Sequence, residues 1–170
     1  MTAPPRRDAV ARVLAQWREV APDVDLSPIE IIGRINRIST LLSATDQHLA
    51  ETGLTRAEFD LLGALRRTGR ELTPSELARE TFSSGAAVTK RLKVLHSRDL
   101  IERRVDDRDH RISRISLTSA GERLHAAYLP VQLDADRELL SDLSPGDGER
   151  LAELLSVLLT QLDGRAGPSR

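Results

Sequence analysis

One stretch in the middle of the chain changes its periodicity once, and this change limits the possible folds more than any other feature. Apolar residues recur at three- and four-residue spacing over about 55–67, 73–80 and 84–98, which predicts three short helices. Residues 100–105 and 112–117 then alternate between apolar and polar, and the polar segment between them predicts a hairpin turn. We therefore expect a mainly α fold with a small antiparallel β hairpin.

Helix starts are marked by Ser or Thr followed three residues later by Glu, at 27–30, 55–58 and 73–76. In this arrangement, called a capping box, the hydroxyl and the carboxylate each accept one of the amide hydrogens that a helix start leaves unpaired. Gly53 and Gly69 follow the helices that begin at the first two of these boxes. A glycine in a left-handed conformation commonly ends a helix.

Two further helices, near the ends of the chain, carry apolar faces. The first face is a narrow seam with four- and three-residue spacing: Ile31, Ile35, Ile38, Leu42, Thr45 and Leu49. The second is a broader leucine face: Leu151, Leu154, Leu155, Leu158, Leu159 and Leu162. One small core covers two such faces with difficulty, which favours a homodimer interface. The alternative is that the two faces pack against each other within one protomer.

Composition excludes several classes of function. The chain has 170 residues and no cysteine, so thiol chemistry and Cys-ligated metals are excluded. It lacks the G-x-S-x-G, H-E-x-x-H and Gly-rich phosphate-binding patterns, and its four histidines lie on separate segments. We therefore expect no enzyme activity, no cofactor and no metal. Because there is neither a secretion signal nor an apolar run long enough to cross a bilayer, we also expect a cytoplasmic protein without membrane contact.

Charge is distributed unevenly although the net charge is only −1. Residues 66–114 contain thirteen Lys or Arg and eight Asp or Glu, a net charge of +5, and the rest of the chain carries −6. Phosphate contacts need local positive charge rather than a basic total. The basic middle therefore favours nucleic-acid binding, with ordinary surface clustering as the alternative.

The third short helix and the hairpin after it form the candidate DNA-binding unit. Val88, Leu92 and Leu95 recur on one face and are expected to hold the helix to the core. The opposite face and the hairpin are left to enter the grooves of a DNA duplex. The candidate DNA contacts are Ser84, Thr89, Lys90 and Lys93 on the helix, and Arg108 and Arg111 on the hairpin.

Four segments carry a resemblance to a known family: 72–78 (LTPSELA), 89–92 (TKRL), 109–111 (DHR) and 117–121 (LTSAG). Over roughly residues 27–163 the chain resembles the MarR family, most specifically in the pattern Asp-x-Arg, five residues, Leu-Thr-x-x-Gly. The resemblance implies a winged helix-turn-helix repressor that binds a palindromic operator in double-stranded DNA as a homodimer. It also implies that Asp109 stabilises the wing and that Arg111 contacts DNA.

At one position in the wing the chain departs from the family, because His110 stands where a second arginine is common. A weaker grip on DNA and some pH dependence of binding are one interpretation. The alternative is an exposed neutral histidine without consequence.

An additional amphipathic segment at about 6–20 holds the single tryptophan, and with it the chain resembles the urate-responsive branch of the family. The resemblance implies a ligand set of Trp17, Asp60, Arg91 and Arg103. An indole and guanidinium groups suit a planar anion. We hypothesise that an Asp60–Arg91 pair, strained by the incoming anion, shifts the DNA-binding helix.

Each member of this set also has an ordinary explanation. Trp17 would pack its helix against the core, and Asp60 would pair with Arg56 four residues earlier. Arg103 would meet a DNA phosphate instead of a ligand.

Together these patterns predict one protomer domain, 1–170, with a DNA-binding lobe at 54–118 and dimerisation helices at 6–52 and 119–163. The expected function is a transcriptional regulator that a small anionic ligand, such as urate or another organic acid, releases from DNA. The alternatives are a winged-helix adaptor that binds a protein and a regulator that has no small-molecule ligand.

Overall fold

A computed structural model describes residues 8–44, 49, 51–106 and 109–166. The elements, in chain order, are α1 (Ala9–Val20), α2 (Ser27–Ala44), α3 (Arg56–Thr68), α4 (Pro74–Glu80), α5 (Gly85–Ser97), β1 (Ile101–Val105), β2 (Ser113–Leu117), α6 (Ser119–Leu139) and α7 (Pro145–Ala166). The predicted fold class is confirmed, because the described chain is mainly helical and β1 and β2 form a small antiparallel sheet.

The hairpin is joined to the helices by a short contact on its inner edge. Within the hairpin, Ile101 lies opposite Leu117 and Arg103 lies opposite Ile115. Leu72 and Ile115 then exchange both backbone hydrogen bonds, at 3.0 and 2.8 Å. Leu72, two residues before α4, therefore fixes the middle of β2.

Two of the three predicted capping boxes are formed. The Thr55 hydroxyl accepts from the Glu58 amide at 3.3 Å, and the Glu58 carboxylate accepts from the Thr55 amide at 2.9 Å. Thr73 and Glu76 make the same pair of bonds at 3.1 and 2.7 Å. Both predictions are confirmed. The sequence pattern was sufficient because both partners of each box lie within one turn of the same helix.

The box predicted at 27–30 is wrong. The Ser27 hydroxyl donates to Asp25 at 3.1 Å, and the Ser27 amide donates to the same carboxylate at 2.9 Å. These two bonds, the backbone one first, hold the pKa of Asp25 below its ordinary value. Glu30 accepts instead from Arg18 of α1 at 3.3 Å. A carboxylate two residues upstream thus occupies the serine that the box would have used.

One residue of the seam predicted on the first of the two terminal helices is wrongly assigned. Thr45 lies outside the described residues, and α2 is described as far as Ala44. Leu49 has no exposed surface and packs in the core with Leu54 and Leu100, so its assignment to a dimer seam is wrong. Leu49 fits the helical spacing of the seam, but its side chain is part of the core.

Most of the core lies in residues 54–118, which we call the central lobe, and Leu49 joins it from outside this range. The lobe's fully buried side chains come from α3, α4, α5, β2 and the segments that join them: Leu61, Leu62, Leu72, Leu77, Val88, Leu95 and Ile115. α6 begins directly against this core, since a Cβ atom at Gly121 would lie 2.0 Å from the Leu100 carbonyl oxygen. Only glycine allows the helix to approach the backbone just before β1 so closely.

The helices outside the central lobe have thinner packing. α1 lies against α2 through the buried Val10 and Leu14, and a Cβ atom at Gly33 would be 3.1 Å from Val10. The leucines of α7 are half-exposed, as are Ile31 and Ile38 of α2. Within the described ranges, no helix is both long and apolar enough to cross a membrane.

Candidate nucleic-acid interface

The face of α5 that points away from the core is exposed along its whole length. Val88, Leu92 and Leu95 are buried, as their spacing predicts. The four candidate DNA contacts on this helix lie on its exposed side: Ser84, Thr89, Lys90 and Lys93. A helix fixed on one side and presenting hydroxyl and ammonium groups on the other has the chemistry of a major-groove contact.

Hydrogen bonds at both ends hold α5 in place. At the start, the Ser84 hydroxyl accepts from the Ala87 amide at 3.3 Å. After its last residue, the Arg98 guanidinium donates to the carbonyl oxygens of Thr52 and Gly53 at 2.5 and 2.8 Å. The position of the helix is therefore tied to the segment that leads from α2 into α3.

The turn of the hairpin is built by two aspartates. Asp109 accepts from the Arg111 amide at 3.0 Å. Asp106 accepts from the Asp109 amide at 3.2 Å and from the Arg114 guanidinium at 2.8 Å. The pKa of Arg114 is raised above its ordinary value, chiefly because Asp106 accepts its hydrogen bond. The sequence analysis did not single out Asp106 or Arg114.

A second bond that the sequence analysis missed anchors the base of the hairpin. Arg104 of β1 donates to Glu71 at 2.8 Å, and this bond holds the pKa of Glu71 below its ordinary value. The partners are 33 residues apart in sequence, so no local pattern indicates the pair. On the same strand, Arg103 donates to the Ser113 hydroxyl at 2.8 Å.

The cation at the tip is available for contact. The guanidinium of Arg111 is exposed and pairs with no other side chain in the described part of the chain. His110 beside it is exposed as well. Arg108, the other predicted contact on the hairpin, lies outside the described residues.

The four predicted ligand residues are spread over the protomer. Trp17 lies on α1 and is about half exposed, at 46%. Asp60 lines a cleft of about 470 Å³ between α3 and α6. Arg91 lines a second cavity of about 340 Å³, and Arg103 lines a third of about 270 Å³.

The contacts of the charged members differ from the hypothesised Asp60–Arg91 pair. Asp60 accepts from Arg56 at 3.2 Å, which is the ordinary ion pair considered as the alternative. Arg91 donates to the Ser83 hydroxyl at 3.5 Å. In this protomer the carboxylate and the guanidinium therefore face different neighbours.

The cleft beside Asp60 contains a buried histidine that the sequence analysis did not identify. The rings of His125 and Phe59 stack at 4.5 Å. Arg66 lies 3.3 Å from Nδ1 of His125, and since a guanidinium only donates, Nδ1 is an acceptor and the proton is on Nε2. Burial, and then the charge of Arg66, lower the pKa of His125.

Comparison with known proteins identifies relatives over most of the chain. A MarR family model matches residues 52–112. The chain is 30% identical over 149 residues to the HTH-type transcriptional regulator PecS of Dickeya dadantii, covering 86% of this chain and 90% of PecS.

Solved structures resemble the fold closely. The DNA complex of MepR from S. aureus superposes with a TM-score of 0.70 and 26% identity, over 80% of this chain and 99% of MepR. The apo form of MarR from E. coli superposes with a TM-score of 0.61 and 25% identity, over 80% of this chain and 97% of MarR.

Proposed function

Because this chain belongs to the MarR family of transcriptional regulators, we propose that it is a homodimeric repressor that binds a palindromic operator and is released by a small anionic ligand. The observation that carries the DNA-binding part is the exposed face of α5 together with the exposed Arg111 of the hairpin. MepR, which has the same fold over nearly its whole length, has been crystallised with DNA.

In the proposed complex, α5 enters the major groove and the hairpin reaches the adjacent minor groove. Lys90, Lys93 and Arg111 meet phosphates or base edges, and Ser84 and Thr89 offer hydroxyl groups at the start of α5. The Thr89 hydroxyl donates to the Gly85 carbonyl at 2.9 Å, so it meets DNA as an acceptor unless that bond breaks. Sequence-independent affinity comes from the cations, and sequence preference comes from the groups that reach bases.

The exposed apolar faces support the dimer. The leucines of α7 and the isoleucines of α2 are half-exposed in one protomer, and such contiguous apolar surface is uncommon on a monomer. A second copy related by a two-fold axis would cover both faces with the same residues. It would also place two copies of α5 on one side of the particle, where they reach successive turns of the duplex.

The ligand part of the proposal is supported by the matched residues rather than by a formed pocket. Trp17, Asp60, Arg91 and Arg103 lie apart within one protomer, so their joint action needs the second protomer or a shift of α5. An anion bound near Asp60 would repel its carboxylate and compete for Arg56. A coupling free energy of about 1–3 kcal/mol would then change DNA affinity roughly 5- to 150-fold.

The decisive experiment measures binding of the purified protein to DNA upstream of its own gene by fluorescence anisotropy over a range of salt concentrations. We expect one dimer per palindrome and an affinity that falls steeply as salt rises. Arg111→Ala should weaken binding to all sequences alike, while Arg150→Ala on α7 serves as a matched loss of one exposed arginine. A flat salt dependence, or equal effects of the two variants, would contradict the proposal and favour the protein-binding adaptor.

The ligand is tested with the same DNA and a panel of purines and organic acids. We expect at least one anion to release the DNA, and Trp17→Phe or Asp60→Ala to reduce that response while DNA affinity stays within about twofold. If no anion releases the DNA, the result favours the alternative of a regulator that has no small-molecule ligand. If the two variants lose DNA binding as well, these residues serve the fold and not a ligand.

A further inference from the structure

Phe82, in the turn between α4 and α5, is placed unlike any other large side chain of the central lobe. The residue is 92% exposed, and its backbone has a φ of +51°. Among the described residues, the other non-glycine residue with positive φ is Asp99, at +54°. Aspartate is a residue type that tolerates this conformation, whereas a bulky aromatic residue rarely adopts it.

The turn explains why residue 82 has a positive φ, but it does not explain why the residue is a phenylalanine. At the end of α4, the Thr81 amide donates to the Leu77 carbonyl at 3.0 Å, and the Ser83 amide reaches back to the Ala78 carbonyl at 2.9 Å. This pattern ends a helix with one left-handed residue, and glycine is the usual choice because it has no side chain to clash. Glycine at position 82 would make the same turn with less strain.

The ring also gains little from the protomer, since almost all of its surface stays in water. In the protein without a bound partner, both the exposed aromatic ring and the strained backbone of Phe82 are therefore unfavourable. Strained residues persist where the surrounding structure fixes them, and they cluster at functional sites. The position of Phe82 next to Ser84, the first predicted DNA contact of α5, indicates which site that is.

The surface on one side of Phe82 has the chemistry of a DNA strand contact, whereas its other side borders the cleft between α3 and α6, whose lining includes Asp60, Glu80 and Asp136. Phe82 lines a shallow concave surface between α4 and the start of α5, open to solvent, with a volume of about 730 Å³. Its other lining residues include one cation and three hydroxyls and no carboxylate: Ser75, Ala78, Arg79, Ser83, Ser84 and Gly85. Guanidinium and hydroxyl groups bind phosphate oxygens, and the ring supplies the apolar element beside them.

We infer that Phe82 is a DNA contact, and that its ring packs against a deoxyribose or a thymine methyl group where the strand enters the groove. The inference rests on the proposed function and deepens it. In a helix-turn-helix, the first helix crosses the backbone and the second enters the major groove, so the turn faces the strand between them. Apolar contact with the thymine methyl group is one of the ways in which a protein reads a base.

Phe82→Gly tests the inference, with Asp99→Gly as the matched control. Both changes relieve a left-handed residue, so both variants should be at least as resistant to urea as the parent protein. Phe82→Gly should nevertheless weaken operator binding by about tenfold, because it removes one buried aromatic contact. Asp99→Gly should leave affinity unchanged, since the Asp99 carbonyl that accepts from Thr118 is retained. Phe82→Leu, which keeps apolar bulk, should fall between the two.

Replacing each thymine of the operator in turn by deoxyuridine separates the two possible partners of the ring. If the ring meets a methyl group, one substitution weakens binding of the parent protein but not of Phe82→Gly. If the ring meets a sugar, the loss caused by Phe82→Gly is the same on every substituted site. Either pattern supports the contact.

Three results would overturn the inference. If Phe82→Gly binds the operator as the parent does, the ring is no DNA contact, although the proposed function stands. If the variant changes only the number of dimers on each DNA, the ring joins protein copies instead. If the parent protein itself binds no DNA, the proposed function fails, and the inference fails with it.

Discussion

Leucines at helical spacing occur both in the central lobe and on α7, but their surroundings differ. Leu62 and Leu77 of the central lobe have no exposed surface, whereas Leu154 and Leu159 of α7 are 52% and 56% exposed. In the lobe, short turns bring α3, α4 and α5 together, so each helix covers the next. An apolar face thus indicates that a helix needs a partner, and chain connectivity decides whether one chain provides it.

Arg98 joins the central lobe to the chain that enters it from the N-terminal helices. It follows α5 and donates to the carbonyls of Thr52 and Gly53, which lead from α2 into the lobe. If the lobe is complete by itself and the terminal helices need a second chain, then changes in the lobe should alter folding, changes on α7 should alter assembly, and changes at Arg98 should affect the junction.

The largest effect is expected from Gly121→Ala at the edge of the central lobe. The added Cβ would lie 2.0 Å from the Leu100 carbonyl oxygen, so α6 or β1 has to move. We expect the free energy of unfolding to fall by about 3 kcal/mol, the upper part of the range for overpacked sites. Urea denaturation followed by circular dichroism measures it.

Gly148→Ala on α7 is the control for this substitution, because a Cβ there meets nothing within 4 Å. Alanine is the better helix former, so this variant should be slightly more stable than the parent. Equal destabilisation by the two changes would show that the close packing of the lobe is not what makes Gly121 necessary.

Leu154→Arg on α7 should alter assembly more than folding. A charge in the centre of the proposed dimer interface should raise the dimer dissociation constant by about 30-fold or more, corresponding to a cost of about 2 kcal/mol. Ser156→Arg, two residues further along α7 and outside the leucine face, is the control. Sedimentation equilibrium measures both, and a parent protein that is monomeric at micromolar concentration would contradict the comparison directly.

Arg98→Met keeps the length of the side chain and removes both hydrogen bonds to the junction. Because the side chain is partly exposed, we expect a loss of about 1.5 kcal/mol in the free energy of unfolding. Arg150→Met, which breaks an exposed pair with Glu153 on α7, should cost less than about 0.5 kcal/mol. Similar losses in the two variants would mean that Arg98 is an ordinary surface residue.

What the sequence could predict follows the same division between local and distant interactions. The boxes at Thr55 and Thr73 were predictable because both partners lie within one helical turn. The box at 27–30 was not, because Asp25 competes for the same serine. Leu49 shows the limit of periodicity, since its spacing fits the helix before it although it packs in the core.

The candidate site also contains some features that local spacing predicts and others that depend on residues distant in sequence. The exposed and buried faces of α5 follow from spacing alone, whereas the bond between Arg104 and Glu71 joins residues 33 positions apart. The left-handed turn at Phe82 was equally hidden, since nothing in the sequence pattern marks a phenylalanine for positive φ. Contacts set by tertiary packing need the fold before they can be identified.

The smallest expected effect is a pH dependence of the lobe's stability that comes from His125. Burial and the nearby Arg66 lower the pKa of this histidine in the folded protein, while in the unfolded chain it titrates near its ordinary value of about 6.5. As the pH falls through about 6.5, the unfolded chain therefore takes up a proton before the folded protein does, and the free energy of unfolding decreases. The decrease ends once the pH reaches the lower pKa of the folded state.

His125→Gln removes this titration and keeps a polar side chain beside Arg66. The parent should lose more stability than the variant between about pH 8 and pH 5.5, whereas above about pH 8 the two should respond to pH alike, because the histidine is then neutral in both states. Comparing each protein with itself cancels the packing cost of the substitution, and carboxylates that titrate at lower pH contribute equally to both. Parallel curves over the whole range would mean that Arg66 and burial do not hold the ring neutral, and that the stack with Phe59 tolerates a charged imidazole.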